Sequence, residues 1–313
     1  MCTAISIDSG MFGRTLDLEC SYGEGVIIKP RCFSLKGTNG ERISGGHAII
    51  GVGTVREGYP LYYDAMNEHG VYIAGLNFPF SARFHSPEKC NDKCRITVYE
   101  LIPYVLSRVK SSREAINMLR EAVIIEAPFN PNLASARLHW MVADTDHCAV
   151  IECEEHGMKI YDNTIGVLTN EPSFDFHLKN LSRYISLSPN EPHGSPFMGE
   201  VAQRRSNAVG GFGLPGDFTS ESRFIRAAFI SSSYVSKKKI CAGDLFHILD
   251  SVAIARGVVR KDDGENIITV YTSVADANSL SYHYTTYDNR DVRRVSMGDF
   301  DVDQRDLFVI DLQ

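Results

Sequence analysis

The sequence has no apolar run of the roughly 20 residues that a membrane-spanning helix requires. Its first stretch, MCTAISIDSGMFGRTLDLE, also lacks the basic segment and the long apolar segment of a secretory signal peptide. Positive charge is scarce, since 32 Lys and Arg residues stand against 39 Asp and Glu residues, for a net charge of −7. A basic stripe for nucleic acid or for an anionic membrane is therefore missing. We expect a cytoplasmic protein with neither nucleic acid nor a membrane as its partner.

Cysteine is likewise too sparse for a disulfide scaffold, with 8 residues in 313. Without a secretion signal, reduced thiols are expected. Cys90 and Cys94, in KCNDKC, resemble half of a zinc site, but no second pair lies at a metal-binding spacing. The sequence therefore predicts no metal site and no cofactor.

Strand patterns dominate both ends of the chain, and helical patterns lie mainly between them. Residues 2–7 alternate between two faces, and 11–18 form the predicted return strand of a hairpin. A further single strand is predicted over 157–168. Helices are predicted at 97–109, at 111–123 behind the capping box Ser111-x-x-Glu114, and at about 174–185, 221–234 and 243–256. With no internal repeat and no convincing boundary, residues 1–313 are predicted to form one α+β domain of mainly antiparallel sheets covered by helices.

Cys2, directly behind the initiator methionine, is the first candidate for chemistry. Cysteine is small enough for methionine aminopeptidase to remove Met1, and removal would leave Cys2 with a free α-amino group. One residue would then carry a thiol nucleophile and an amine that acts as its base. The plain alternative is that a small residue at position 2 has no role.

The first hairpin brings two charged residues toward Cys2. If Ser9 and Gly10 are the central turn residues, Cys2 lies opposite Asp17, and Ile5 lies opposite Arg14; a three-residue turn would shift this pairing by one. In the favoured register a carboxylate faces the N-terminal amine, and the Arg14 guanidinium would stabilise a thiolate. An ordinary surface Arg–Asp pair is the alternative interpretation.

Four further segments, together with the N-terminus, closely resemble the choloylglycine hydrolase family. They are YPLYYDAMNEHG, AGLNFP, VLTNEPSFDFH and GLPGDFTSESRFIRAAF. Members of the family are bile salt hydrolases and penicillin V acylases, which are N-terminal-nucleophile amidohydrolases. The resemblance implies a four-layer αββα sandwich of two mainly antiparallel sheets, and it extends from Cys2 to at least the strands near residue 287.

The resemblance also assigns a set of site residues. The family's catalytic positions fall on Cys2, Arg14, Asp17, Asn77, Asn170 and Arg223. The resemblance implies that Cys2 attacks an amide carbonyl, that its α-amine carries the proton, and that the Asn77 side chain stabilises the oxyanion. Asn170 would orient the amino group or donate toward the reacting oxygen. Arg14 would support the thiolate, Asp17 would hold the amine and Arg223 would brace the site; Thr15 departs from the asparagine that the family often has there.

A steroid substrate needs an open apolar pocket, with polar groups near the scissile bond. The resemblance places the pocket at Leu16, Tyr59, Phe78, Phe80, Phe129 and Leu133. Asn77 favours hydrolysis of glycine- or taurine-conjugated bile salts, because similar penicillin V acylases carry tyrosine there. Penicillin V acylase, an acyltransferase using the same acyl-enzyme, and a silent binding protein are the alternatives. Residues 188–220 resemble the family's assembly segment, which implies a homotetramer.

Ten histidines make a Cys–His hydrolase the competing mechanism. His69 lies in a predicted turn and His139 in a predicted core strand, and neither has an evident partner. Both are expected to be structural.

Overall fold

The computed structural model has 20 strands and five α-helices in the part of the chain that it describes. That part excludes residues 8, 38–41, 88–93, 193–194, 198–199, 203–206, 208, 235–239 and 313, and at 42–43, 195–197 and 200–202 only the backbone is described. The strands are β1 (Cys2–Ile7), β2 (Met11–Leu18), β3 (Gly25–Lys29), β4 (Ser34–Lys36), β5 (Arg42–Ser44), β6 (Ile49–Arg56), β7 (Tyr59–Asn67), β8 (Tyr72–Asn77), β9 (Cys94–Thr97), β10 (Ala122–Ile125), β11 (Leu138–Ala143), β12 (Cys148–Glu154), β13 (Gly157–Asp162), β14 (Val167–Leu168), β15 (Ser195–Phe197), β16 (Glu200–Ala202), β17 (Ile268–Asp276), β18 (Ser281–Thr286), β19 (Arg293–Ser296) and β20 (Phe308–Asp311). The helices are α1 (Leu101–Leu106), α2 (Ser112–Glu121), α3 (Phe174–Asn180), α4 (Ser220–Ser233) and α5 (Ala242–Asp250), with short 3-10 helices at Leu181–Tyr184 and Met297–Asp299.

Two antiparallel sheets form the centre of the molecule. The six-stranded sheet has the order β14-β1-β2-β17-β18-β19, and the eight-stranded sheet has the order β13-β12-β11-β8-β7-β6-β3-β20. Helices α4 and α5 pack on β1, β14, β2 and β17 of the first sheet, while α1 and α2 pack on β7, β8, β11 and β12 of the second. These contacts give the order helix, sheet, sheet, helix, so the predicted four-layer αββα sandwich is confirmed.

Successive side chains of β8 belong to two different hydrophobic cores, one on each face of the eight-stranded sheet. Tyr72, Ala74 and Leu76 belong to the core between the sheets, whereas Ile73 belongs to the core beneath α1 and α2. Because both faces of the strand are covered, its sequence does not alternate between apolar and polar residues, and its one amide side chain, Asn77, stands at its end. No helix in the described ranges is both long enough and apolar enough to cross a membrane.

The first hairpin has the three-residue turn, so the favoured register was wrong by one residue. Cys2 lies opposite Leu16, and Arg14 lies opposite Ala4. Gly10 makes the longer turn possible, because its φ of +77° lies in the left-handed region that favours glycine. A shift of one residue exchanges the faces of a strand. Arg14 therefore shares a face with Cys2, and Asp17 lies on the opposite face.

The predicted single strand over 157–168 is two strands in different sheets. β13 is an edge of the eight-stranded sheet and β14 is an edge of the six-stranded sheet. The chain crosses between them at Asn163, whose side chain donates to the Val167 carbonyl and accepts from the Gly166 amide. This crossing carries the next residues, Thr169 and Asn170, to the edge of β1.

The helices predicted over 111–123 and 221–234 match α2 and α4 to within two residues, whereas the helix predicted over 243–256 ends at Asp250. Ser111 Oγ accepts from the Glu114 amide at 3.2 Å, while the Glu114 carboxylate accepts from the Lys110 amide instead of completing the box. The helix predicted over 97–109 is shorter, because β9 runs to Thr97 and α1 begins at Leu101.

Candidate active site

Cys2 lies at the start of β1, almost completely buried, with 2% of its surface exposed. Its Sγ atom accepts a hydrogen bond from Arg14 Nη2 at 2.8 Å. Its backbone nitrogen donates to Asn170 Oδ1 at 2.8 Å. Thiol and backbone nitrogen therefore have separate partners from β2 and from the segment after β14.

Arg14 is held by the backbone of two other strands. Its Nη1 donates to the carbonyls of Tyr63 at 2.9 Å and Gly75 at 3.0 Å, and its Nε donates to the Thr15 carbonyl at 3.4 Å. Burial by itself lowers the pKa of Arg14, but electrostatic interactions with its neighbours, Cys2 first and Asp64 among them, raise it above the ordinary value. The planar guanidinium is thus charged and has one N–H group directed at sulfur.

Asn170 links three parts of the site. Its Oδ1 accepts from the Cys2 nitrogen and from Arg223 Nη2 at 2.7 Å. Its Nδ2 donates to the carbonyl of Asn77 at 2.8 Å, and its own amide donates to Ser220 Oγ at 2.8 Å. This geometry favours the first of the two predicted roles, orientation of the Cys2 nitrogen, since the amide NH₂ group already has a backbone partner.

Arg223, on α4, is fully buried beside the same strand. Its Nη1 donates to the Cys2 carbonyl at 2.6 Å and to Thr3 Oγ1 at 2.7 Å, and its Nε donates to the Phe218 carbonyl at 3.1 Å. Burial lowers the pKa of Arg223, and the charge of Asp17 opposes this shift. Two of these contacts hold the backbone of Cys2 and the side chain of the next residue.

Asp17 is fully buried and accepts hydrogen bonds from two threonines. Thr269 Oγ1 donates to it at 2.7 Å and Thr15 Oγ1 at 3.2 Å, so the residue that replaces the family's asparagine still contacts Asp17. Burial raises the pKa of Asp17, against the lowering effect of Arg223. Met1 is present in the structure and pairs with the Asp17 backbone, its amine donating at 2.6 Å and its carbonyl accepting at 2.9 Å.

A cavity of about 310 Å³ opens above Cys2, and Asn77, at the end of β8, lines it. Its wall is largely apolar. The lining includes Leu16, Leu18, Tyr22, Arg56, Leu61, Tyr99, Ile102, Phe129, Leu133, Leu138 and Trp140.

Three of the predicted pocket residues, Leu16, Phe129 and Leu133, line this cavity. Tyr59 stands behind its wall, with its ring centroid 5.9 Å from that of Phe129. Phe78 and Phe80 lie elsewhere, so three of the six predicted positions, with Tyr59, are outside the lining of the cavity.

Phe78 is buried and stacked on His139 at 4.4 Å, whereas Phe80 is 80% exposed. Sequence reasoning missed Tyr99 and Ile102. The predicted helix over 97–109 contained both residues, but nothing in it indicated which side of the sheet it would cover.

The histidines lie apart from the sulfur, since no described histidine lines the cavity of Cys2. His139 is buried, with Nδ1 2.9 Å from Glu152 and Nε2 donating to the Thr169 carbonyl at 3.0 Å. His47, Glu68 and His69 present three possible metal-ligand atoms within 4.8 Å of one another, but Arg31 already binds the Glu68 carboxylate through two nitrogens. Cys90, half of the possible zinc pair, lies outside the described residues.

Comparison with known proteins identifies the family. The family of linear amide C–N hydrolases, choloylglycine hydrolase family, matches residues 2–310. The chain belongs to this family. A bile salt hydrolase/transferase from Lactiplantibacillus plantarum is 41% identical over 311 residues, which cover 98% of this chain and 95% of that protein.

Solved structures agree with this choloylglycine hydrolase assignment. The crystal structure of the C2A conjugated bile acid hydrolase from Clostridium perfringens superposes with a TM-score of 0.93 at 34% identity, covering 99% of this chain and 96% of that chain. Penicillin V acylase from Agrobacterium tumefaciens gives 0.74 at 19% identity, covering 98% and 90% of the two chains, which shows the fold alone. The protein is therefore a linear amide C–N hydrolase with an N-terminal-nucleophile fold.

Proposed function

We propose that this choloylglycine hydrolase cleaves the amide bond of glycine- or taurine-conjugated bile salts, with Cys2 as its nucleophile. The observation that carries the proposal is the contact of Cys2 Sγ with Arg14 at the base of a largely apolar cavity. The apolar wall would contact the steroid of a conjugated bile salt, and the amide of the conjugate would reach the polar groups at the base. The names of the similar bile salt hydrolases support the same substrate class.

The proposed reaction starts from the free α-amine that removal of Met1 gives to Cys2. The α-amine of Cys2 takes the thiol proton, and the thiolate attacks the amide carbon. Arg14 stabilises the thiolate and the Asn77 side chain donates to the new oxyanion. The ammonium then protonates the leaving nitrogen, so that glycine or taurine departs and a thioester remains.

Water completes the cycle by attacking the thioester. The α-amine accepts a proton from this water, the carbon–sulfur bond breaks, the ammonium returns that proton to the sulfur, and the free bile acid leaves. Asn170 and Arg223 hold the Cys2 nitrogen and carbonyl throughout, because each already bonds to the Cys2 backbone. No step requires a metal or a cofactor.

The substrate class can be tested by comparing kcat/KM for conjugated bile salts with kcat/KM for penicillin V. We expect kcat/KM for glycocholate and taurocholate to exceed that for penicillin V by at least about tenfold, because the cavity wall offers apolar area to a steroid. Amino acid release and phenoxyacetate release are the two measurements, with Cys2→Ala protein as the background. A ratio reversed in favour of penicillin V would reassign the enzyme as a penicillin V acylase.

Acyl transfer to an amine is the second candidate function. The relative from Lactiplantibacillus plantarum is named a hydrolase/transferase, and an amine could replace water at the same thioester. Incubation with taurocholate and an added amino acid, followed by mass analysis, separates the products: new conjugates mean transfer and free bile acid means hydrolysis. A silent binding protein gives neither product.

Replacement of Asn77 by alanine should lower kcat about 10²- to 10³-fold with a smaller change in KM, since an oxyanion donor acts in the transition state. The variant isolates the side chain, because Asn170 bonds to the backbone carbonyl of Asn77, which remains. Asn130→Ala, in the loop near Phe129, is the control for a general effect on the pocket and should leave kcat intact. A rise in KM with unchanged kcat would make Asn77 a binding residue instead.

We also propose a single domain over residues 1–313, a cytoplasmic location and a homotetrameric assembly. The last proposal rests on residues 188–220, parts of which lie outside the described ranges. Light scattering distinguishes a tetramer from a monomer directly.

A further inference from the structure

A buried carboxyl group lies behind Arg14. Asp64, on β7, has no exposed side-chain surface, and its Oδ1 is 3.9 Å from Arg14 Nε. Arg14 belongs to the six-stranded sheet and Asp64 to the eight-stranded sheet, so the pair spans the core between them. Asp64 lies in the segment YPLYYDAMNEHG, but the resemblance to the family gave no role to this carboxylate.

Asp64 is held by three neutral hydroxyl groups. Tyr271 donates to Oδ1 at 2.7 Å, and Ser273 and Tyr72 donate to Oδ2 at 3.1 and 3.3 Å. These donors replace water around the carboxylate, which would otherwise be costly to bury as an ion. Burial raises the pKa of Asp64, and the charge of Arg14 and the hydrogen bonds from Tyr271 and Ser273 oppose this shift, so these groups support the charged form of the carboxylate.

A β-bulge directs this region toward Arg14. The register of β6 and β7 shifts between Val52 and Gly53, so that Val52 pairs with Asp64 and Gly53 with Tyr62. Tyr63 is the extra residue, and its carbonyl accepts from Arg14 Nη1 at 2.9 Å. Two adjacent residues of the bulge thus contribute a hydrogen bond and a negative charge to one guanidinium, and bulges commonly redirect side chains in this way.

The effect of Asp64 on Arg14 is one of charge. The guanidinium already bonds to Cys2 Sγ and to three backbone carbonyls, and a separation of 3.9 Å is longer than a hydrogen bond. A carboxylate at this distance in a buried site nevertheless interacts strongly with a cation. Asp64 and a Cys2 thiolate are therefore two anions beside the same cation.

We propose that Asp64 is a positioning residue that acts through Arg14 and moderates the stabilisation that Arg14 gives to the Cys2 thiolate. The titratable groups facing the pair are Cys2, Tyr63, Tyr72, Tyr271 and Tyr282. Burial raises the pKa of all four tyrosines above the ordinary value, so they are neutral near neutral pH. In that range the charge at the sulfur depends on Arg14 and Asp64, with Asp17 and Arg223 on the other face of β1 and β2.

Asp64→Asn tests the proposal, because it removes the charge and keeps the shape. The measurement is the rate of Cys2 alkylation by iodoacetamide against pH, followed by mass spectrometry of the N-terminal peptide in protein that has lost Met1. We expect the midpoint of this profile to move to lower pH by on the order of one unit, since Arg14 is left uncompensated. The acid limb of the pH–rate profile for taurocholate should move in the same direction.

Tyr271→Phe provides a second route if Asp64→Asn does not fold. It removes the shortest hydrogen bond to the carboxylate, which makes ionised Asp64 less stable, so we expect a smaller shift in the same direction. Asp144→Asn is the matched control, because Asp144 is a half-buried carboxylate that accepts from the Ser112 amide beyond the end of β11. The control should leave the alkylation midpoint unchanged.

The proposal is overturned if both variants keep the wild-type midpoint and only unfold at lower temperature, since Asp64 would then be structural. A shift to higher pH overturns it as well. The role in catalysis rests on the proposed function, but alkylation of Cys2 needs no substrate. A shifted alkylation profile with no activity toward conjugated bile salts would therefore reject the proposed function and retain the role of Asp64.

Discussion

Replacing Cys2 by serine should lower kcat on the order of 10³-fold or more without disturbing the fold. A hydroxyl is much harder to ionise than a thiol, and the Arg14 N–H group at 2.8 Å from Sγ can stabilise an anion only if one forms. The backbone contacts of residue 2 with Asn170 and Arg223 do not involve the side chain. We therefore expect an unfolding temperature within a few degrees of the wild type and a large loss of turnover.

Cys153→Ser is the matched control for this loss. Cys153 is also buried, on β12, and burial raises the pKa of its thiol to about 12, so it is a poor candidate for a nucleophile. Its replacement should reduce stability slightly and leave kcat for taurocholate close to the wild type. Near-normal turnover by Cys2→Ser protein would instead show that Cys2 is not the nucleophile.

Retention of Met1 should abolish turnover. With Met1 in place the Cys2 nitrogen is an amide, which has no basic lone pair to take the thiol proton. Met1 also extends the first hairpin by pairing with the Asp17 backbone through two hydrogen bonds, so it occupies the space beside the nucleophile. Both effects act on catalysis, and neither prevents folding.

Three versions of the chain separate these effects. An uncleavable N-terminal tag should give a folded, inactive protein, whereas the same tag after Gln313 should leave activity unchanged. A fusion partner that a protease removes to leave Cys2 as the first residue should restore full activity. Intact mass spectrometry of the active protein should show the loss of one methionine, and full activity with Met1 retained would leave Cys2 in need of another base.

Much of the fold could be predicted from local patterns. The cap at Ser111 and the strands at both ends of the chain are local properties, and the structure has elements at those places. The predictions failed where contacts between distant segments determine the structure. The sequence over 157–168 is continuous in its strand pattern, yet the chain leaves one sheet and enters the other at Asn163.

The candidate site divides in the same way. The residue types at Cys2, Asn77 and Asn170 could be recognised from short motifs, because each motif is contiguous in the chain. The pocket wall could not, since Phe78 follows a motif residue directly but points into the core against His139. Asp64 lies within the motif YPLYYDAMNEHG, but its relation to Arg14 depends on a bulge that no local pattern revealed.

By itself, the sequence determined which chemical groups the site contains: a thiol that can become N-terminal, a guanidinium, and two amides at strand ends. Tertiary structure alone decided which of them share a face. Arg14 reaches the sulfur because Gly10 allows the longer turn, and that turn fixes the register of β1 against β2. A shift of the register by one residue moves every side chain of a strand to the other side of the sheet.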